Sequence, residues 1–273
     1  MRKGVGDKVL KLTVLGNNGP YPAQGGACSG YLLQHEDSNI LIDLGSGTLA
    51  NLVSALSSEL ESIDVIILSH LHADHISDIS VLRYAVFRSG GAPGKDGLVN
   101  RIPLYCPPEP AAEYETLYSY AQFDVQPVTG DLELTVDGLT INFAPMKHPY
   151  PSFAVSITAA DPDGGSKKFV YTGDTSWNQE LIPFAEDADL MLADANLISQ
   201  DRLAGKPIFH LTAEECGIAA AEAGVKKLLL THFTPGSDVA RRVAEAKAGA
   251  QKVLGRADSL PIEAAEILTE YEI

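Results

Sequence analysis

Apolar positions come mostly in short β-branched or leucine-rich runs, each cut off by glycine, proline, aspartate or asparagine. Lys8 to Leu15, Ser29 to Gln34, Ile40 to Asp43, Asp64 to Leu68, Ile102 to Tyr105, Phe153 to Thr158, Lys168 to Tyr171, Leu190 to Ala193 and Val225 to Leu230 read as strands. Several lack polar alternation, which marks strands covered on both faces. Asp124 to Phe143 holds three more, turning at Thr129-Gly130-Asp131 and Asp137-Gly138. Helical spacing runs from Gly47 to about Leu56, from Ile76 through Ile79 and Leu82 to Val86, and over Ala111 to Tyr120, Asn178 to Phe184 and Asp238 to Ala250. Thr212-Ala213-Glu214-Glu215 is a capping box, and Gly224 suits the end of the helix it opens. Without repeats or long linkers, residues 1–273 predict one large α/β sandwich as a single domain.

The densest chemistry sits where a predicted strand meets a predicted helix. Asp64 to Leu68 runs into Ser69-His70-Leu71-His72-Ala73-Asp74-His75, which puts four potential metal ligands in one turn. Imidazole with carboxylate suits Zn²⁺, Mn²⁺ or Fe better than Mg²⁺ or Ca²⁺. Of seven histidines, only His35 looks ordinary. Asp43, His70, His148, Asp174, Asp194 and His232 all follow predicted strands, so a two-sheet sandwich can gather them at one rim. His70, His72 and His148 then form one metal site, Asp74, His75 and His232 a second, and Asp174 bridges the two. Two such ions can activate one water for an in-line displacement. Asp43 faces a glycine-rich turn and has two open roles, as a helix cap or as a holder of the histidine-rich turn.

Composition narrows the partners. A formal net charge of −16 disfavours a long polyanion, and no basic cluster interleaved with aromatics appears, which argues against nucleic acid. No apolar run approaches the ~20 residues of a membrane span. Cys28, Cys106 and Cys216 fit neither a disulfide framework nor a zinc knuckle. With no secretory pattern at the N-terminus, a reduced, cytoplasmic protein is expected, with a homodimer left open. The stretch Gly90 to Arg101 is either a surface loop or a mobile flap over the metal site.

Ser69 to His75 resembles the HxHxDH signature of the metallo-β-lactamase superfamily. Asp43, His148, Gly173-Asp174 and Thr231-His232 follow in that family's order, from about Lys11 to Ile273. Asp74-His75, Tyr171-Thr172-Gly173-Asp174-Thr175 and Leu230-Thr231-His232-Phe233-Thr234-Pro235 are similar to the tRNase Z-like and phosphodiesterase branch. The resemblance implies an α+β fold, an αββα four-layer sandwich of two mixed β-sheets flanked by helices. It implies a hydrolase with two divalent ions, Zn²⁺ ahead of Mn²⁺ or Fe, and Asp74 as a catalytic residue beside its ligand role. It also implies a histidine outside the metal shell and an acid that orients it, here His210 and Asp194. The long tRNA-gripping arm of that branch is missing between His148 and Asp174, and Gly236-Ser237 replaces its usual Arg-Tyr. A small phosphodiester, such as a cyclic nucleotide or cyclic phosphate ester, is therefore the expected substrate, chosen by the Gly16–Gly26 and Gly90–Arg101 loops, Tyr150 and Trp177. The alternatives are another ester, lactone or thioester, an armless tRNA 3′-processing endoribonuclease, and a non-hydrolytic iron redox or metal-binding protein.

Overall fold

A computed structural model describes residues 9–88, 101–160, 164–203, 208–256 and 259–273. The first half carries β1 (Lys11–Gly16), β2 (Gly30–His35), β3 (Ser38–Leu44), α1 (Thr48–Ala55), β4 (Val65–Ile67), α2 (Ala73–Ile76), α3 (Ile79–Arg88), β5 (Ile102–Cys106), α4 (Ala111–Tyr118) and β6 (Phe123–Pro127). The second carries β7 (Glu133–Val136), β8 (Leu139–Met146), β9 (Ser152–Ala160), β10 (Ser166–Tyr171), α5 (Leu181–Phe184), β11 (Leu190–Asp194), α6 (Ser199–Leu203), α7 (Ala213–Glu222), β12 (Leu228–Thr231), α8 (Val239–Leu254), β13 (Ile262–Ala264) and β14 (Glu270–Glu272). Among the described residues the strands form two seven-stranded sheets, ordered β14-β1-β2-β3-β4-β5-β6 and β13-β12-β11-β10-β9-β8-β7. Each sheet is antiparallel at one side and parallel at the other. This is the αββα sandwich that the resemblance implied.

Three apolar cores separate the four layers. Along β3, Ile40 and Ile42 enter the core between the sheets, while Leu41 and Leu44 enter the core under α1, α3 and α4. Along β11, Leu190 and Leu192 face the first sheet, and Met191 and Ala193 face α5, α7 and α8. Both faces of these strands are covered, which is why their sequences lack polar alternation. Each fully buried leucine or isoleucine contributes about 1.5–3 kcal/mol.

Strand direction then places the rim. β1, β3 and β4 run the same way in the first sheet, as do β8, β10, β11 and β12 in the second. Their C-terminal ends carry most of the candidate residues, so these gather on one edge.

Some boundaries differ from the sequence expectation. The helix after the histidine-rich turn is two pieces, α2 and α3. Asn178 to Gln179 lie outside helix, and only Leu181–Phe184 is helical. Val225 closes the end of α7, donating its backbone N–H to the Ala220 carbonyl, so β12 begins at Leu228. No helix of the described residues is long and apolar enough to cross a membrane.

Helices α7 and α8 meet backbone to backbone. A Cβ on Gly217 would lie 1.9 Å from the Ala246 carbonyl oxygen, and one on Gly249 2.2 Å from that of Glu214. Gly217→Ala is expected to destabilise the fold by roughly 1–3 kcal/mol, because overpacking outweighs the gain in helix propensity. The check is a lower urea midpoint at unchanged slope.

Candidate metal centre

The histidine-rich turn leaves β4 in extended form. His72 (φ −68°, ψ 148°) is the last extended residue before α2, whose single turn carries Asp74 and His75. Extended backbone puts His70 and His72, two residues apart, on one side. Buried Leu68 and Leu71 anchor the turn in the outer core of the first sheet. Asp43, fully buried at the end of β3, holds it from below. Its carboxylate accepts the Ser69 N–H at 2.7 Å, the Ser69 hydroxyl at 2.9 Å, His75 Nδ1–H at 2.8 Å and, from the other sheet, the Tyr171 hydroxyl at 3.1 Å. Of its two open roles, Asp43 takes the holder's. Asp78 caps α1 instead, accepting from the backbone of Gly47 and Leu49, each at 2.9 Å.

The second sheet supplies the rest. His148 follows β8, and its Nδ1–H donates to the Phe209 carbonyl at 3.0 Å. The loops bearing His148 and Asp174 are tied together. Lys147 N–H donates to Thr175 Oγ1 at 3.1 Å, and Ser176 N–H to the Lys147 carbonyl at 2.9 Å. His232 follows β12 with φ 61°, and Asp43 has φ 54°. Left-handed backbone at a non-glycine residue costs on the order of 1–3 kcal/mol, so packing must impose it at both.

These elements bring together two groups on either side of Asp174. His72 Nδ1 lies 2.9 Å from His70 Nε2 and 3.1 Å from His148 Nε2. His232 Nε2 lies 3.3 Å from His75 Nε2 and 3.2 Å from Asp74 Oδ2. Asp174 Oδ2 is 3.8 Å from His70 Nε2 and 3.2 Å from His232 Nε2, and Oδ1 is 3.5 Å from His75 Nε2. Among the described residues, buried Asp174 Oδ1 accepts no hydrogen bond.

The donor set fits divalent metal ions. Partners on the outer nitrogens of His75 and His148 fix the proton there, so the inner nitrogens present lone pairs. Lone pairs this close repel unless positive charge lies between them. Nitrogens bound at about 2.0–2.1 Å around tetrahedral Zn²⁺ would stand about 3.3 Å apart, close to the spacings observed.

Titration follows the same division. Burial and neighbouring imidazoles hold His70 well below the usual histidine range and lower His72 and His148. Burial is the largest single effect and pulls His75 and His232 down, but Asp174 together with Asp43 at His75, and with Asp74 and Asp194 at His232, outweighs it, so both are raised. Burial would raise Asp174, yet His232 and His75 hold it well below the carboxylate range.

His210 stands beside this cluster, its Nδ1 2.8 Å from Asp194 Oδ2 and 3.7 Å from Asp174 Oδ2. Burial opposes its charge, but Asp194 and Asp174 push its pKa up to about 9. Tyr150 packs its ring 4.2 Å from that of His72. Trp177 packs against the core under the second sheet. The flap reading of Gly90 to Arg101 lies outside the described residues, save Arg101. Sequence reasoning assigned no role to Ser69, Tyr171 or Asn196. A tyrosine on an otherwise apolar inner face was the available signal for Tyr171. Asn196 donates from Nδ2 to the His232 carbonyl at 3.1 Å and lies 3.2 Å from His232 Nδ1.

A family model described as "Beta-lactamase superfamily domain" matches residues 38–233. The chain belongs to the metallo-β-lactamase superfamily. The probable metallo-hydrolase YhfI of Bacillus subtilis is 35% identical over 224 residues, 82% of this chain and 87% of that protein. The crystal structure of YhfI superposes with a TM-score of 0.83 at 29% identity, covering 98% of this chain and all of that one. Ribonuclease Z of Ignicoccus hospitalis is 27% identical over 284 residues, 88% of this chain and 93% of that protein. A diphosphatase from the PhnP family shares the fold, with a TM-score of 0.67 at 19% identity over 97% and 98% of the two chains. This member of the superfamily is a metal-dependent hydrolase.

The loop after β1 closes over His232. A Cβ on Gly19 would lie 2.1 Å from His232 Nε2. Gly19→Ala is expected to displace that ring and weaken divalent-metal binding about tenfold or more. Competition with a chromogenic chelator measures it.

Proposed function

We propose that this hydrolase is a dinuclear phosphodiesterase acting on a small, cyclic phosphodiester. His70, His72 and His148 hold one ion, Asp74, His75 and His232 the other, and Asp174 bridges them. Zn²⁺ suits the donors first, then Mn²⁺ or Fe. The observation that carries the reading is the convergence of both groups on one buried carboxylate, with His70 and His232 nearest Oδ2 and His75 nearest Oδ1. Both sheets contribute, so residues 1–273 act as one domain.

A pair of divalent ions supplies Lewis acidity, polarising phosphoryl oxygens and making water nucleophilic at neutral pH. Asp74, whose side chain is 10% exposed, accepts the proton that the attacking water loses. His210 keeps its Nδ1–H on Asp194 and turns Nε2 to the substrate. As an imidazolium it meets the phosphate charge and protonates the leaving oxygen.

Chain length supports a small substrate. Ser166 pairs with Ala160, so five residues connect β9 to β10, too few for a protruding arm. The net charge of −16 also disfavours RNA. Relatives named ribonuclease Z and diphosphatase favour a phosphorus ester over a lactone or thioester. A chromogenic phosphodiester assayed beside a lactone and a precursor tRNA separates the readings, and turnover of the lactone alone overturns this one.

Asp174→Ala is expected to bind neither ion, because it removes the shared ligand. Elemental analysis decides, and two retained ions would refute the bridging role. Phosphodiester kcat is expected to fall as pH rises through the pKa of His210, at or below about 9, since bound cations oppose the pull of Asp194. His210→Gln should abolish that alkaline limb and lower kcat roughly 10²–10⁴-fold.

A further inference from the structure

Arg242, near the start of α8, is 6% exposed, and among the described residues it is the one buried arginine or lysine. Its location is a poor one for stability. The positive end of a helix dipole repels a cation, and a buried cation is costly unless its N–H groups are taken up. Arg242 Nε donates to the Ala195 carbonyl at 3.0 Å, Nη2 to the Asn196 carbonyl at 2.6 Å, and Nη1 to the Asp238 carbonyl at 3.4 Å.

Two of those carbonyls belong to the segment Asp194-Ala195-Asn196, which leaves β11 at the rim of the metal centre. Both ends of this segment touch site histidines. Asp194 Oδ2 is 2.8 Å from His210 Nδ1, and Asp194 Oδ1 is 3.5 Å from His232 Nδ1. Asn196 Nδ2 reaches both the ring and the carbonyl of His232. Ala195 N–H, donating to the Thr231 carbonyl at 3.0 Å, ties the segment to β12. A planar guanidinium can grip two successive carbonyls at a fixed angle, whereas a lysine ammonium cannot.

We propose that Arg242 is a positioning residue, clamping Ala195 and Asn196 so that Asp194 and Asn196 orient the His210 and His232 rings. The proposal rests on the dinuclear phosphodiesterase reading for its kinetic effect. It predicts that exchanging the fork for either a straight cation or an apolar chain loosens two rings that Arg242 never touches.

The test compares Arg242→Lys and Arg242→Met with the wild-type chain, metal-loaded for kinetics and metal-free for imidazole ¹H–¹⁵N spectra. The expected result is a kcat loss of about 10–100-fold with KM within about twofold, as for other residues that orient ligands. One ion should leave faster to a chelator while the other is unchanged. In the metal-free protein the Nδ1–H signal of His210, sheltered by Asp194, should broaden or shift. A folded variant with wild-type kcat and imidazole spectrum overturns the proposal, as does failure of both variants to fold, which would make Arg242 purely structural. If the wild-type chain binds no ions or leaves phosphodiesters intact, the proposed activity falls, and the metal-free spectra still decide the role of Arg242.

Discussion

Imidazole lone pairs and two carboxylates face one another across the rim of the sandwich at separations of about 3–4 Å. Such a gathering is self-repelling. It persists only where positive charge occupies the space between the donors and where the surrounding protein holds them against drifting apart. Asp174 is the hinge of this balance, a carboxylate 2% exposed that faces imidazoles on both sides. The raised pKa values of His75 and His232 express the same demand, since a proton is favoured where a larger cation would also be.

Holding the donors in place falls to groups that never reach the centre of the cluster. Asp43 draws Ser69, His75 and Tyr171 to one carboxylate, which ties the two sheets together beneath the site. The Phe153 N–H donates to the Ser69 carbonyl at 3.0 Å and makes a second tie between them. A third runs from the loop after β1 to the loop after β12, where Phe233 N–H donates to Asn17 O at 2.8 Å and Gly19 N–H to Phe233 O at 3.1 Å. These ties hold the left-handed backbone of Asp43 and His232, which still costs energy although aspartate and histidine adopt it more readily than most residues.

Strand polarity explains why so many of these residues lie at one rim. Each sheet begins antiparallel and finishes parallel, so alternate strands in one part and successive strands in the other end on the same side. Every C-terminal end there can deliver a side chain to the cleft between the sheets. The likeness to YhfI spans nearly the whole chain, as expected of a site built from both sheets.

Much of this was legible in the amino-acid sequence. Apolar runs marked the strands, the capping box marked the start of α7, and the spacing of His70, His72, Asp74 and His75 announced a metal-binding turn. Those features depend on neighbours within a few residues, where backbone geometry makes spacing meaningful. The roles of Asp43, Tyr171, Asn196 and Arg242 were not legible, since each is set by a partner far along the chain. Asp43 read equally well as a helix cap, and nothing set Arg242 apart within the helix expected over Asp238 to Ala250. Only folding, which sets the carboxylate of Asp43 against the hydroxyl of Tyr171 and the guanidinium of Arg242 against the carbonyl of Asn196, decided between such readings. Local periodicity carries information about which face a side chain takes, and none about which distant group will meet it there.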